Sequence, residues 1–128
     1  MNKKIVITGI CFILTSIILG AFGAHSLEKL VAADKLASYE TGVRYQIYQG
    51  IALLVLGLNA EKLKYSLKAA SILIIAGTVL FSLSIYLLSI QEVVNMSFEF
   101  LGPVTPIGGG MMIIGWSILL INVIRSKS

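Results

Sequence analysis

The chain has 128 residues, 57% of them hydrophobic and only 12% charged, with a net charge of +4 at pH 7. A soluble domain carries about 25% charged residues, so the deficit sets much of the surface against lipid and leaves room for a single domain, residues 1–128. The basic excess does not point to nucleic acid, because the lysines and arginines flank apolar runs instead of clustering.

Met1 to Lys4 is a short basic start, and Ile5 to Ala24 follows without a charge. Twenty helical residues at 1.5 Å each span roughly 30 Å, the thickness of the hydrocarbon core. A basic start and small residues before His25 are also features of a secretory leader. The run is long for a leader's apolar region, so a retained first span is expected. Cys11, the only cysteine, lies inside this run. It has no cysteine partner for a disulfide or metal site and reads as a small buried hydrophobe.

The span closes on Gly20-Ala21-Phe22-Gly23-Ala24-His25. Ser16, Gly20 and Gly23 fall near one stripe, and their lack of bulk lets another helix approach the backbone closely. They are read as packing residues.

Ser26 to Glu40 is the only extended polar stretch. Leu27, Leu30 and Val31 share a side at helical spacing, which predicts a short amphipathic helix on the membrane surface. Asp34 is the expected N-cap of the next helix. Glu40 and Arg44 form an i,i+4 pair in the favoured order.

The second span is expected from about Gly42 to Ala60. Arg44 sits at its mouth and snorkels to the headgroups. Tyr45, Gln46, Tyr48 and Gln49 fill its first turns. Tyrosine suits the interface, but an unpartnered amide in lipid costs several kcal/mol. The glutamines therefore need other helices or a wet pocket.

Glu61 to Lys68 is a tight basic connection, and Ala69 to Ile90 is the third span. Ser71, Thr78, Ser82, Tyr86 and Ser89 fall near one stripe, the expected helix-facing side. Gln91 to Leu101 is a loop carrying Glu92 and Glu99. In Gly102-Pro103-Val104-Thr105-Pro106-Ile107-Gly108-Gly109-Gly110, Thr105 is the expected N-cap and Pro106 the first helical residue. The fourth span then runs to about Ile124. Gly108, Met112, Gly115, Leu119 and Asn122 share a stripe, and Gly108, Gly109 and Gly115 are read as further packing residues.

The result is an all-α membrane bundle of four transmembrane helices, about 5–24, 42–60, 69–90 and 106–124. Seven of the ten basic residues fall on the side of the termini, and five of the six acids fall opposite. The positive-inside rule then puts both termini in the cytoplasm. No convincing repeat links the two halves.

Four motifs in this order, GAFGAH (20–25), TGVRYQIYQ (41–49), LFSLSIYLL (80–88) and GPVTPIGG (102–109), followed by Gly115-Trp116, resemble the bacterial membrane-protein family called domain of unknown function 423. Eukaryotic transmembrane proteins of similar size look related. The resemblance covers nearly the whole chain. It implies a four-helix protein of the bacterial cytoplasmic membrane and brings no biochemical activity with it. Family members often carry histidine where Gln49 stands and glycine where Leu83 stands. A two-histidine site would lack its second member here, and no metal or cofactor is expected.

His25, Tyr45, Gln46, Gln49, Tyr86 and Thr105 are the candidates for an outward-facing polar pocket. Histidine titrates near physiological pH and serves as ligand or proton acceptor; the alternative is an interfacial histidine at a helix end. The amides beside Thr105 suit an anion or lipid phosphate; the alternative is ordinary capping. Met111 and Met112 are adjacent and point apart, which makes a poor thioether pair. Catalysis has little support, since a nucleophile needs a base and an orienting group. An ion-coupled transporter usually needs an ionisable residue inside a span, and none is visible.

The expected role is therefore a non-enzymatic scaffold, accessory or helix-packing module. Its partners would be the lipid bilayer and a second copy or another membrane protein, with no nucleic acid. Leucine at Gly20 or Gly108 is expected to disrupt it. The alternative is a small-molecule or lipid-binding or transport protein using the outward pocket. A weaker reading, a membrane enzyme acting on lipid, needs His25 to meet Ser82 or Ser84.

Overall fold

The computed structural model describes residues 1–127. It is all-helical, with four long helices: α1 (Lys3–His25), α2 (Ala33–Leu58), α3 (Lys68–Ile90) and α4 (Val104–Arg125). The segments Lys3–Lys29, Lys68–Ile90 and Glu99–Arg125 are long and apolar enough to cross a membrane. The other long helix, α2, carries Asp34, Lys35, Glu40 and Arg44 in its first half and no charge from Tyr45 to Leu58.

Consecutive helices run in opposite directions and pack in series, α1 on α2, α2 on α3 and α3 on α4. At the end that holds the N-terminus, Ile5, Leu53, Ala70, Ile74 and Leu119 form one core drawn from all four helices. The Asn2 amide donates to the Gly57 carbonyl at 2.8 Å. The Met1 ammonium lies 2.7 Å from Glu61 and holds that carboxyl below the ordinary glutamate range. At the other end Leu27, Tyr39 and Tyr86 form a second cluster.

The two hairpins share one packing scheme. In the first, a Cβ added at Gly9 would stand 2.7 Å from the Gly50 carbonyl oxygen and 2.8 Å from the Leu54 nitrogen. In the second, a Cβ at Gly77 would stand 2.7 Å from the Gly108 carbonyl oxygen and 2.8 Å from the Met112 nitrogen. Two turns further on, Gly57 meets Val6 as Gly115 meets Ile74, each with 2.8 Å to the nearest side-chain carbon. This corrects the expectation that the halves share no repeat. The repeat lies in glycine positions, while the side chains around them differ and the intervening chain is longer in the first hairpin.

Several local expectations are also corrected. α2 starts at Ala33, one residue before the expected cap Asp34, and runs as one unbroken helix through Gly42, the expected start of the second span. The amphipathic surface helix between the first two long helices is replaced by a single 3-10 turn, Leu27–Lys29. Leu27 is only 1% exposed there and plugs the end of the bundle, while Leu30 points out. Asp34 is no N-cap; it lies in the first turn of α2, where a carboxylate still suits the helix dipole. Arg44 forms no ion pair with Glu40. Its Nη2 donates to Thr41 Oγ1 at 3.1 Å, one turn back toward the helix start. Cys11 is exposed, on the outer face of α1 rather than buried.

Many of the stripe residues are buried, while Asn122, Gly109 and Gly20 are only partly so. Ser71, Thr78, Ser82, Tyr86 and Ser89 of α3 are all buried, as are Gly108, Met112, Gly115 and Leu119 of α4. Ser16 is buried and donates to the Phe12 carbonyl at 2.5 Å. Gly23 lies under the Tyr39 ring. Gly20 differs, since a Cβ there would meet only Val43 Cγ1, at an ordinary 3.5 Å. The tight crossing of α1 is at Gly9, deeper in the span.

Candidate functional site

The unbroken run of α2 from Ala33 decides where the polar residues go. Gln46 lies 13 residues into the helix, or roughly 20 Å at 1.5 Å per residue, and not at its mouth. At that depth it reaches across to α1 and α3. Its Nε2 donates to the Phe12 carbonyl at 3.0 Å and to Thr15 Oγ1 at 2.5 Å. Its Oε1 accepts from the Tyr86 hydroxyl at 2.6 Å. One carboxamide thus uses both donors and its acceptor to tie three helices together.

Neighbouring bonds extend this belt. Ser82 Oγ donates to the Gly42 carbonyl at 2.8 Å, possible because Gly42 brings no side chain between α2 and the Tyr86 ring. The Tyr86 ring packs on Tyr39 with centroids 5.2 Å apart, and Tyr39 donates to the Leu19 carbonyl at 2.6 Å. Tyr39 was not singled out from the sequence. Its signal was an aromatic set against Gly23 across the turn, legible only once the pairing of α1 and α2 is known.

The remaining candidates go elsewhere. Gln49 turns toward α4, where its Oε1 accepts from Trp116 Nε1 at 2.7 Å. Thr105 lies inside α4, whose N-cap position is Pro103, and its hydroxyl shares a 2.6 Å hydrogen bond with Ser84 Oγ. The expected cap is therefore a tie between α3 and α4. Tyr45 is exposed and packs its ring on Phe81, with centroids 5.1 Å apart. His25 is exposed at the end of α1, with no side-chain hydrogen bond among the described residues.

A single pocket built from all six residues is thus corrected to three separate polar ties, one aromatic contact at Tyr45 and one isolated histidine. The cause is depth: His25 stays at the helix end, while Gln46 and Gln49 are carried down α2. Nor is His25 bonded to Ser82 or Ser84, whose hydroxyls are engaged with Gly42 and Thr105.

Three concave regions accompany these ties. A groove of about 570 Å³ runs between α2 and α4 over Phe81. A second, of about 340 Å³, lies between α1 and α3 with Gln46 in its floor. A third, of about 400 Å³, lies near the start of α2 and includes Lys35, Thr41, Ser89 and Thr105.

Residues 19–109 match the family described as "Protein of unknown function (DUF423)". The chain belongs to the DUF423 family. The matched stretch runs from the last turns of α1 to the start of α4, so it holds the Gln46–Tyr86 belt and Thr105. UPF0382 membrane protein YwdK of Bacillus subtilis is 37% identical over 125 residues, 96% of this chain and 98% of that protein. A UPF0382 membrane protein of Staphylococcus epidermidis is 36% identical over 123 residues, 96% of this chain and 97% of that one. UPF0382 inner membrane protein YgdD of Escherichia coli is 36% identical over 110 residues, 85% and 80% of the two chains. No solved structure matches. This DUF423 chain is accordingly a membrane protein in contact with the lipid bilayer, from a family of unknown function.

Proposed function

We propose that this DUF423 protein is a non-enzymatic module of the bacterial cytoplasmic membrane that acts through helix contacts, as a scaffold or accessory subunit. In this reading all four long helices cross the bilayer and both termini are cytoplasmic. The uncharged stretch of α2 from Tyr45 to Leu58 supplies about 20 Å of span, and Arg44 reaches back toward the headgroups. Lys3, Lys4, Lys62, Lys64, Lys68, Arg125 and Lys127 gather at the cytoplasmic end, in keeping with the positive-inside rule.

The observation that carries the reading is the use made of polar groups. Gln46, Tyr86, Ser82, Ser84 and Thr105 are engaged in bonds between helices. Among the described residues no buried side-chain nitrogen or oxygen lacks a partner. Such bonds hold a bundle in one arrangement and leave few groups free for chemistry.

Purification from native membranes in mild detergent, with cross-linking before extraction, tests it. A homo-oligomer or one protein partner at fixed stoichiometry is expected. A monomer with no stoichiometric partner would overturn it. A second reading, a binding site for a small membrane-soluble molecule, is favoured by the groove between α2 and α4.

A further inference from the structure

We infer that the groove between α2 and α4 is a binding site for a planar, membrane-soluble molecule that carries a carbonyl acceptor. The inference deepens the second reading above. It uses the placement of α2 and α4 in the bilayer but does not depend on a scaffold role.

The argument starts from the contrast between two glutamines one helical turn apart. Gln46 has partners for its oxygen and its nitrogen. Gln49 has a partner for its oxygen alone. The Trp116 indole is a donor only, so it fixes which way the Gln49 carboxamide faces: oxygen to Trp116, NH2 away. Among the described residues Gln49 Nε2 has no hydrogen-bond acceptor.

Gln49 is only partly buried, and in water that would suffice, because solvent would accept its two protons. Trp116 lies near the middle of α4 (Val104–Arg125), so the pair sits near the middle of the bilayer. Hydrocarbon offers no acceptor, and an amide donor left unmet there costs several kcal/mol. An acceptor from outside the chain is therefore called for.

The shape of the groove narrows the class of molecule. Its volume of about 570 Å³ falls in the range of small-molecule sites. Tyr45, Phe81 and Trp116 bring three aromatic rings to it, and such faces favour a flat partner. Gly109 keeps the Phe81 ring uncovered, since a Cβ there would stand 3.6 Å from its edge. The remainder of the lining is mainly apolar, including Met112 and Leu120.

Two other occupants fit less well. A phospholipid chain fills apolar space but carries its ester oxygens at the interface, not at the depth of Gln49. A second copy related by a two-fold axis would set one concave groove against another and leave a void.

Trp116 is the only tryptophan, so its fluorescence reads the groove directly. The full chain is placed in lipid nanodiscs and titrated with menadione, a flat lipophile with two carbonyls and no tail. Saturable quenching is expected. Gln49→Leu should weaken it ten-fold or more, and Gly109→Leu should abolish the saturable part, with helix content by circular dichroism unchanged. In the unaltered protein 2-methylnaphthalene, the same skeleton without carbonyls, should displace menadione only at ten-fold or greater concentration.

Quenching that rises without saturation, equal competition by 2-methylnaphthalene, or indifference to Gln49→Leu would overturn the inference. So would native mass spectrometry showing a phospholipid retained in the groove that menadione cannot displace. Acrylamide, a water-borne quencher, reports the membrane placement separately: if it reaches Trp116, the placement of α2 and α4 in the bilayer fails, whatever menadione does.

Discussion

Gly77 and Gly108 meet backbone to backbone, so that a Cβ on either would stand 2.7 Å from the other's carbonyl oxygen. Gly9 and Gly50 make the corresponding crossing in the other hairpin, at 2.7 and 3.0 Å. Lipid tails are as apolar as leucine, so helix association in a bilayer leans on such close approach rather than on burial from water. These two crossings set the distance between the helices of each hairpin.

Alanine at Gly9, Gly77 or Gly108 should therefore force backbones apart. Each is expected to destabilise the bundle by about 1–3 kcal/mol, the usual range for overpacking. Alanine at Gly20 or Gly110 should be neutral within about 0.5 kcal/mol, because the first would make ordinary contact with Val43 and the second faces open space. Reversible unfolding in mixed micelles checks the series. Equal effects at Gly20 and Gly108 would contradict the structure.

The Gln46–Tyr86 bond should be measurable as a coupling. Tyr86→Phe removes the donor to Gln46 Oε1, and Gln46→Leu also removes the bonds to α1. Tyr86→Phe is expected to cost about 1 kcal/mol, and Gln46→Leu more. The coupling in a double-mutant cycle should be about 0.6–1.7 kcal/mol. Additivity of the two substitutions would show that the bond contributes nothing in the bilayer.

A smaller effect is expected at the tie between α3 and α4. Ser84 Oγ also lies 2.9 Å from the Phe81 carbonyl, so Ser84→Ala and Thr105→Ala each leave the neighbouring helix intact. Each should lower stability by about 0.5–1.5 kcal/mol, with the double variant close to the larger single effect. If Thr105 acted only as a helix cap, Ser84→Ala would be silent.

Cys11 offers a check on exposure without any substitution. It is exposed on α1, inside an uncharged run, so its surroundings in the membrane are lipid. A membrane-soluble maleimide should label it in intact vesicles. A charged maleimide should label it only after solubilisation in SDS. Rapid labelling by the charged reagent in intact vesicles would place α1 against water.

Much of the architecture is legible in residue order. The apolar runs foretell α1, α3 and α4 to within two residues at most ends, because a helix in lipid must satisfy its own backbone. The hydroxyl stripe of α3 and the glycine stripe of α4 point inward as their spacing requires. The start of α2 is legible to within two residues, with Asp34 the expected N-cap and Ala33 the first helical residue. What residue order leaves open is depth: Asp34, Lys35 and Glu40 ride on the same helix as the apolar stretch that follows them.

Depth along that one helix moves the candidate site. With Gly42 as the mouth of a span, Gln46 and Gln49 belong beside His25 at the surface. With α2 running from Ala33, they lie several turns lower and address different helices. Gly9, Gly50, Gly57 and Gly77 were passed over for a related reason. A glycine shows in the sequence as an absence of bulk, and what fills that absence comes from a helix distant in the chain.

The sequence alone determined that this chain is helical, apolar and membrane-bound, with its basic residues biased to the side of the termini. Those properties follow from composition and from the 3.6-residue period of each helix taken singly. Only the tertiary structure decided which glycine meets which, why Gln46 is fully bonded while Gln49 keeps a free donor, and where the groove over Phe81 lies. Each of these depends on the rotation and depth of one helix against another, and no helix carries its neighbour's phase in its own residues.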